Sequence, residues 1–103
     1  IVDGTAELLQ AGDLWGRSVP ETDDALQGIT DQTVTVAAIG PAGENRVCFA
    51  AIMNNKHRAA GRCGLGAVMG AKRLKAIACA GGQPIDLAEP KTFQQKARRQ
   101  YDL

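Results

Sequence analysis

Residues 56–75, KHRAAGRCGLGAVMGAKRLK, are where this chain concentrates residue types that could do chemistry. Gly61, Gly64, Gly66 and Gly70 alternate with Lys56, Arg58, Arg62, Lys72, Arg73, Lys75 and His57, and no carboxylate interrupts them. Glycine lets a ligand approach the main chain without meeting a Cβ, and free N–H groups at a helix start attract anions. Guanidinium groups at Arg58 and Arg62 would add forked, permanently charged donors. Such a combination suits the holding of a phosphate. The familiar phosphate motifs are nevertheless missed. Gly64-Leu65-Gly66 is followed by its third glycine one residue too late for a dinucleotide fingerprint, and Ala71 separates Gly70 from Lys72 where a P-loop needs Gly-Lys. Two readings therefore stay open: an anion site, or a tightly packed helix start whose glycines permit close helix–sheet contact and whose basic residues are solvated.

No catalytic constellation accompanies the stretch. The single histidine, His57, adjoins Arg58; it is read as a structural loop residue, with a hydrogen bond to a ligand phosphate as the sharper alternative. Cys63 falls near the expected helix start, where a thiol is activated, yet a small packing residue is the simpler reading. The only serine, Ser18, reads as a helix cap, and Glu21, Asp23 and Asp24 as carboxylates near a helix dipole's positive end. Cys48, Cys63 and Cys79 form no C-x-x-C pair, so neither a zinc site nor a cluster motif can be built from them; they are expected as free thiols of a reducing compartment.

The elements that must position this stretch follow from pattern. Residues 1–7 read as a strand end with a turn at Asp3-Gly4, and Asp13-Leu14-Trp15 as a short helical turn whose Trp15 anchors a core or interface. Ser18-Val19-Pro20-Glu21 is a capping box that opens a helix ending near Gly28, with Ala25 and Leu26 inward. Residues 33–39 are β-branched and apolar, a strand, which Gly40-Pro41-Ala42-Gly43 ends before a single helical turn beginning at Glu44-Asn45. Residues 47–53, VCFAAIM, and 74–80 read as strands, the first covered on both faces. Between them, a loop over 54–61 and a helix from Arg62 or Cys63 to about Lys72 make a βαβ-like crossover, with the loop where ligands commonly sit in open sheets. Residues 81–84 break the chain, and from Pro90 to Tyr101 an apolar stripe of Phe93, Ala97 and Tyr101 faces away from Lys91, Lys96, Arg98 and Arg99. The fold class is α+β: a mixed sheet with helices packed on it.

Bulk properties bound the remainder. At 103 residues there is at most one domain, and with only four aromatics its core is built from Ala, Val, Ile and Leu. A formal charge of +1 gives no global field to argue for nucleic acid, and no aromatic is interleaved with the basic residues. The apolar runs fall short of the roughly 20 residues that cross a bilayer, so no membrane association is expected.

Taken together, Ile39-Gly40-Pro41-Ala42-Gly43-Glu44-Asn45, Met53-Asn54, His57-Arg58-Ala59-Ala60-Gly61-Arg62, Gly64-x-Gly66-Ala67-Val68-Met69-Gly70 and Leu74-Lys75-Ala76-Ile77-Ala78 closely resemble the N-terminal domain of the aldehyde ferredoxin oxidoreductase family, as do Leu14-Trp15-Gly16 and Glu21-Thr22. The resemblance implies that residues 1–103 are a part, truncated at both ends, of that larger cofactor-cradling domain. It implies a cytoplasmic enzyme that oxidises small aldehydes to acids on a tungsten or molybdenum bis-pterin cofactor, passing electrons through an iron–sulfur cluster to ferredoxin. Carried over to this chain, Arg58 contacts pterin phosphate, Ala59 offers its main-chain carbonyl to a magnesium bridging two phosphates, and Gly61 and Arg62 bind pterin; the cluster cysteines lie outside these residues. The expected partners are ferredoxin, the remainder of the same polypeptide and, where the enzyme assembles, a second copy. Two departures from the family's pattern are Gly70-Ala71-Lys72, where a serine is common in the middle, and Cys63, where glycine or threonine is common. The competing readings are a tungsten-dependent aromatic acyl-CoA reductase subunit of the same superfamily, and a phosphate- or nucleic-acid-binding module using Lys56, Arg58, Arg62, Lys72, Arg73 and Lys75.

Overall fold

The computed structural model describes residues 1–82 and 84–102. After a 3-10 turn at Gly12–Leu14, the order is α1 (Val19–Gln27), β1 (Thr35–Ala38), α2 (Pro41–Glu44), β2 (Ile52–Asn54), β3 (Arg58–Ala60), α3 (Leu65–Ala71), β4 (Ala76–Cys79) and α4 (Pro90–Tyr101). The strands form one sheet in the order β3-β2-β1-β4, and each ladder is antiparallel. The α+β class holds, but the sheet expected to be mixed is antiparallel in every ladder; parallel pairing among the described residues is confined to the isolated bridge Val2–Ala80, outside the sheet's strands.

β2 and β4 both run antiparallel to β1, hence in the same direction, with β1 lying between them. The expected crossover does not form: β3 intervenes between β2 and α3 and runs opposite to β4, so the strands on either side of α3 are antiparallel and lie at opposite edges of the sheet. Val34, Val36, Ala38 and Leu26 make the principal core, where α1 lies on β1; Ile39, Ala50 and Met69 are also buried.

α1 starts where the capping box places it. The Ser18 N–H donates to Glu21 Oε2 at 2.9 Å, the Glu21 N–H reaches Ser18 Oγ, and Gly28 closes the helix. Its inner face is Thr22, Asp23 and Leu26; Ala25, expected inward, is exposed, because the helix presents the 22/26 row to the sheet. The helical turn expected to begin at Glu44-Asn45 instead ends there: Pro41, whose fixed φ suits the first helical position, starts it earlier.

The expected strand over 47–53 is largely absent. Only Ile52–Asn54 joins the sheet, Phe49 is 78% exposed, and residues 47–51 leave the strand path to meet α3. There the Ala50 carbonyl accepts the Gly66 N–H at 2.9 Å, and a Cβ added at Gly66 would lie 2.6 Å from the Ala51 carbonyl oxygen. A Cβ at Gly70 would lie 1.8 Å from the Gly43 carbonyl oxygen, so α2 and α3 touch backbone to backbone. Glycine is required at both positions by close approach, not by torsion.

Both short helices end in the same way. The Val47 N–H reaches back to the Ala42 carbonyl and the Leu74 N–H to Met69, each at 2.9 Å, around Arg46 and Arg73 in the left-handed region with φ of 59° and 54°. These are Schellman motifs in which arginine stands where glycine is favoured. α4 forms as expected, but among its described residues none is buried, and its stripe of Phe93, Ala97 and Tyr101 faces no described element. The break expected at residues 81–84 includes Gln83, outside the described residues. No described helix is long and apolar enough to cross a membrane.

Candidate functional site

The residues singled out by sequence lie on a hairpin and the chain that leaves it. The loop expected over 54–61 is mostly strand: β2 pairs with β3 in the register Ile52–Ala60, Met53–Ala59, Asn54–Arg58. Asn55, Lys56 and His57 make the connecting turn, with Asn55 at φ 45° and Lys56 at φ 68°, a left-handed pair of the kind that matches the twist of a tight hairpin. The His57 N–H donates to the Asn54 carbonyl at 3.1 Å. Residues 58–62, called the arm below, therefore start as an edge strand with a sheet neighbour only on the β2 side.

Arg58, Ala59, Gly61 and Arg62 are all exposed, and so is His57. Among the described residues neither Arg58 nor Arg62 is engaged in an ion pair, whereas Lys56 is tied to Asp24 and Lys75 to Glu44. A Cβ placed on Gly61 would meet nothing within 4 Å. Two unengaged guanidiniums thus stand on either side of an unobstructed glycine in sequence, residue types that suit a phosphate bearing several oxygens. A hollow of about 360 Å3 lined by Asp3, Gly4, Thr33, Thr35, Cys79, Ala80 and Gly81 lies at the β4 edge, the far side of the sheet from the arm.

The glycines divide between the two readings that sequence left open. Gly64, Gly66 and Gly70 serve packing: Gly64 is left-handed, and its missing Cβ would lie 2.2 Å from the Cys48 carbonyl oxygen. Gly61 alone of the four is open to a ligand. The anion site expected at the α3 N-terminus is not available, because the Gly66 N–H is taken by Ala50 and the Ala67 N–H by Gly64 at 3.0 Å. α3 also begins at Leu65, later than expected, since Cys63 and Gly64 both adopt φ above 60° and cannot be helical.

Lys75 leaves the basic cluster as well. It is only 3% exposed; its ammonium donates to Glu44 Oε1 and, at 2.7 Å, to the Arg17 carbonyl, while the Gly16 N–H donates to both Glu44 oxygens at 2.9 and 3.0 Å. Sequence reasoning missed this knot because Lys75 sits in a basic run and Glu44 beside a proline-glycine turn, with no periodicity linking them. Nor did it find the salt bridge from Lys56 to Asp24, which holds the Lys56 ammonium above its usual 10.5 through that hydrogen bond. Asp23 is buried, 4% exposed: Oδ1 accepts from Gln27 Nε2 at 3.0 Å and Oδ2 has no partner among the described residues. Trp15, expected as an anchor, is 39% exposed. The described residues contain no group of three or more His, Cys, Asp or Glu that could hold a metal, and the three cysteines are free.

A family model described as aldehyde ferredoxin oxidoreductase, N-terminal domain, matches residues 1–81. Over 103 residues the chain is 48% identical to a tungsten-containing aldehyde ferredoxin oxidoreductase of Pyrococcus abyssi and 46% identical to that of Pyrococcus furiosus, covering 99% of itself and 17% of each relative. It is 45% identical over 62 residues, 60% of this chain and 10% of the relative, to the WOR-like subunit of an aliphatic sulfonate oxidoreductase of Pyrococcus furiosus. Among solved structures, the active-site complex BamBC of benzoyl coenzyme A reductase, bound to 1,5-dienoyl-CoA, superposes with a TM-score of 0.81 at 38% identity, over 88% of this chain and 14% of that one. The chain thus spans 17% of the length of the curated relatives that it matches end to end.

Proposed function

The chain belongs to the aldehyde ferredoxin oxidoreductase N-terminal domain family, and we propose that its arm, residues 58–62, grips the phosphates of a bis-pterin tungsten cofactor inside a larger aldehyde-oxidising enzyme. The observation that supports this most directly is the pair of exposed, unengaged arginines, Arg58 and Arg62, on either side of the open Gly61 in sequence. Arg58 and Arg62 neutralise phosphate charge with forked donors, and Gly61 lets a phosphate approach the main chain. Ala59 lies on an edge strand whose outer side has no sheet partner, the setting in which a main-chain carbonyl can turn to a magnesium bridging two phosphates. When bound, the cofactor supplies the redox chemistry of aldehyde oxidation; the residues of this chain hold it in place. Electron transfer through an iron–sulfur cluster to ferredoxin, a cytoplasmic location and any assembly into oligomers belong to the same proposal, with cluster ligands supplied by other parts of the polypeptide. Tungsten is the metal favoured by the names of the relatives, with molybdenum as the alternative occupant.

The test uses the full-length enzyme. Arg58→Ala is expected to lower tungsten and pterin content, read by metal mass spectrometry and by fluorescence of the oxidised pterin, because a desolvated phosphate loses its charged partner. Arg58→Lys should recover only part of it, since a lysine presents charge without the planar fork. Full metal and pterin loading in Arg58→Ala would overturn the assignment.

A second reading is favoured by the likeness to the benzoyl coenzyme A reductase complex: an aromatic acyl-CoA reductase subunit that uses the same arm for the same cofactor. Aldehyde-dependent reduction of a ferredoxin or viologen dye, against reduction of an aromatic thioester ring, decides between them.

A further inference from the structure

The arm is attached to the body of the protein through little backbone. β2 pairs with β1 at only two positions, Ala37–Asn54 and Ala38–Met53, and β3 pairs with β2 alone. A two-stranded hairpin is marginal by itself, so whatever fixes its tip fixes the arm. Asn55 stands at that tip. Its N–H donates to the Val36 carbonyl at 2.9 Å, and its side-chain Oδ1 accepts the Val36 N–H at 2.9 Å. Asn55 has turned into the left-handed region, φ 45°, and the side-chain carbonyl occupies the place on Val36 that a main-chain carbonyl would take. Val36 is buried in the core strand, so its N–H has no solvent to fall back on.

We propose that Asn55 is a positioning residue for cofactor binding: its two hydrogen bonds to Val36 extend the two-pair β1–β2 ladder by one step and thereby set where the arm presents Arg58 and Arg62. The inference rests on the reading of residues 58–62 as the phosphate grip. Asparagine suits both demands, since it tolerates the left-handed conformation better than other residues with a Cβ and carries an acceptor of the right reach. Lys56, the next residue, adds a second tether through its salt bridge to Asp24 on α1, but that pair is substantially exposed and contributes less.

Three substitutions in the full-length enzyme separate acceptor, backbone conformation and charge. Asn55→Asp keeps the acceptor, Asn55→Gly keeps the left-handed turn and loses the acceptor, and Asn55→Ala loses both. Amide exchange at Arg58 and Ala60, whose neighbour Ala59 faces the open edge, is expected to quicken about fivefold or more in Asn55→Gly and Asn55→Ala, the loss that follows from an unpaired buried N–H. Exchange at Ile77 and Ala78 on β4 should stay at the parent rate, and tungsten and pterin content should fall with the arm's protection. Asn55→Asp should restore both. Should Asn55→Ala fail to fold, Asn55→Gly carries the test alone. Parent-like cofactor content in Asn55→Gly, alongside loss in Arg58→Ala, would sink the positioning role and leave the grip standing; parent-like content in both would remove the grip itself.

Discussion

At the scale of the residue, left-handed torsions set where local stability can be gained. Arg46 and Arg73 close two helices with φ of 59° and 54°, a conformation in which an L side chain is crowded by its own carbonyl. Arg73→Gly is predicted to stabilise the protein by about 0.5–1 kcal/mol, read as a raised urea midpoint at unchanged slope, because relief of that crowding exceeds the added freedom of the unfolded chain. Glu21 offers a pH test. Hydrogen bonds from Ser18 hold its carboxyl below the usual 4.5. A depressed folded pKa means that the cap's contribution is present above the unfolded value and is lost as pH falls through the folded one. Protection factors of amides in the first turn of α1, taken against the intrinsic exchange rate at each pH, should therefore fall as pH drops below 4.5, and Glu21→Gln should abolish that dependence. The capping box was readable from Ser18 and Glu21 alone, because its chemistry is complete within four residues. Asn55 was not, because its partner Val36 is fixed only by strand pairing.

Elements were legible where a local rule set them. Helices α1 and α4 and strand β1 follow from caps and periodicity, and their positions agree with the sequence to within a few residues. The failure at residues 47–53 has a definite cause: a run of apolar residues reads as strand, yet here it detours to receive the glycine face of α3, a tertiary demand that no local pattern carries. The glycine-rich stretch misled for the same reason, its helix-start amides being consumed internally and its glycines split between contact and opening. Gly70→Ala is predicted to cost about 3 kcal/mol, because α2 and α3 must part to admit a methyl group 1.8 Å from the Gly43 carbonyl. Gly61→Ala meets nothing and should leave thermal stability within about 0.5 kcal/mol of the parent. If the arm grips phosphate, the same substitution lowers pterin retention in the full-length enzyme, so the two glycines report on different jobs.

At the scale of the whole molecule, the Lys75–Glu44 pair ties β4 and α2 to the segment before α1, through Gly16 and Arg17. Removing one partner leaves a buried charge uncompensated, and Lys75→Met or Glu44→Gln should each destabilise by about 3–5 kcal/mol in urea unfolding. The double substitution Lys75→Met with Glu44→Leu should recover much of that loss, since it strands no charge. A reading of sequence placed Lys75 among the solvated cations; only the assembled fold shows it as a bolt between three pieces. The arm's ligand, by contrast, came from family resemblance, and the structure contributes its setting: free guanidiniums, an open glycine and an edge strand.

The insertion of β1 between β2 and β4 also governs the sequence in which the molecule can assemble. The β2–β3 hairpin and α3 close over short loops and can form early, whereas the β1–β4 ladder must bring Thr35 to Cys79 and Ala38 to Ala76 across everything between them. The shape of the ligand arm and its anchorage on β1 are thus decided by neighbours in the chain, while the other side of that anchor strand waits on the most distant pairing in the sheet. A newly made chain would have hand and wrist joined before the forearm is set.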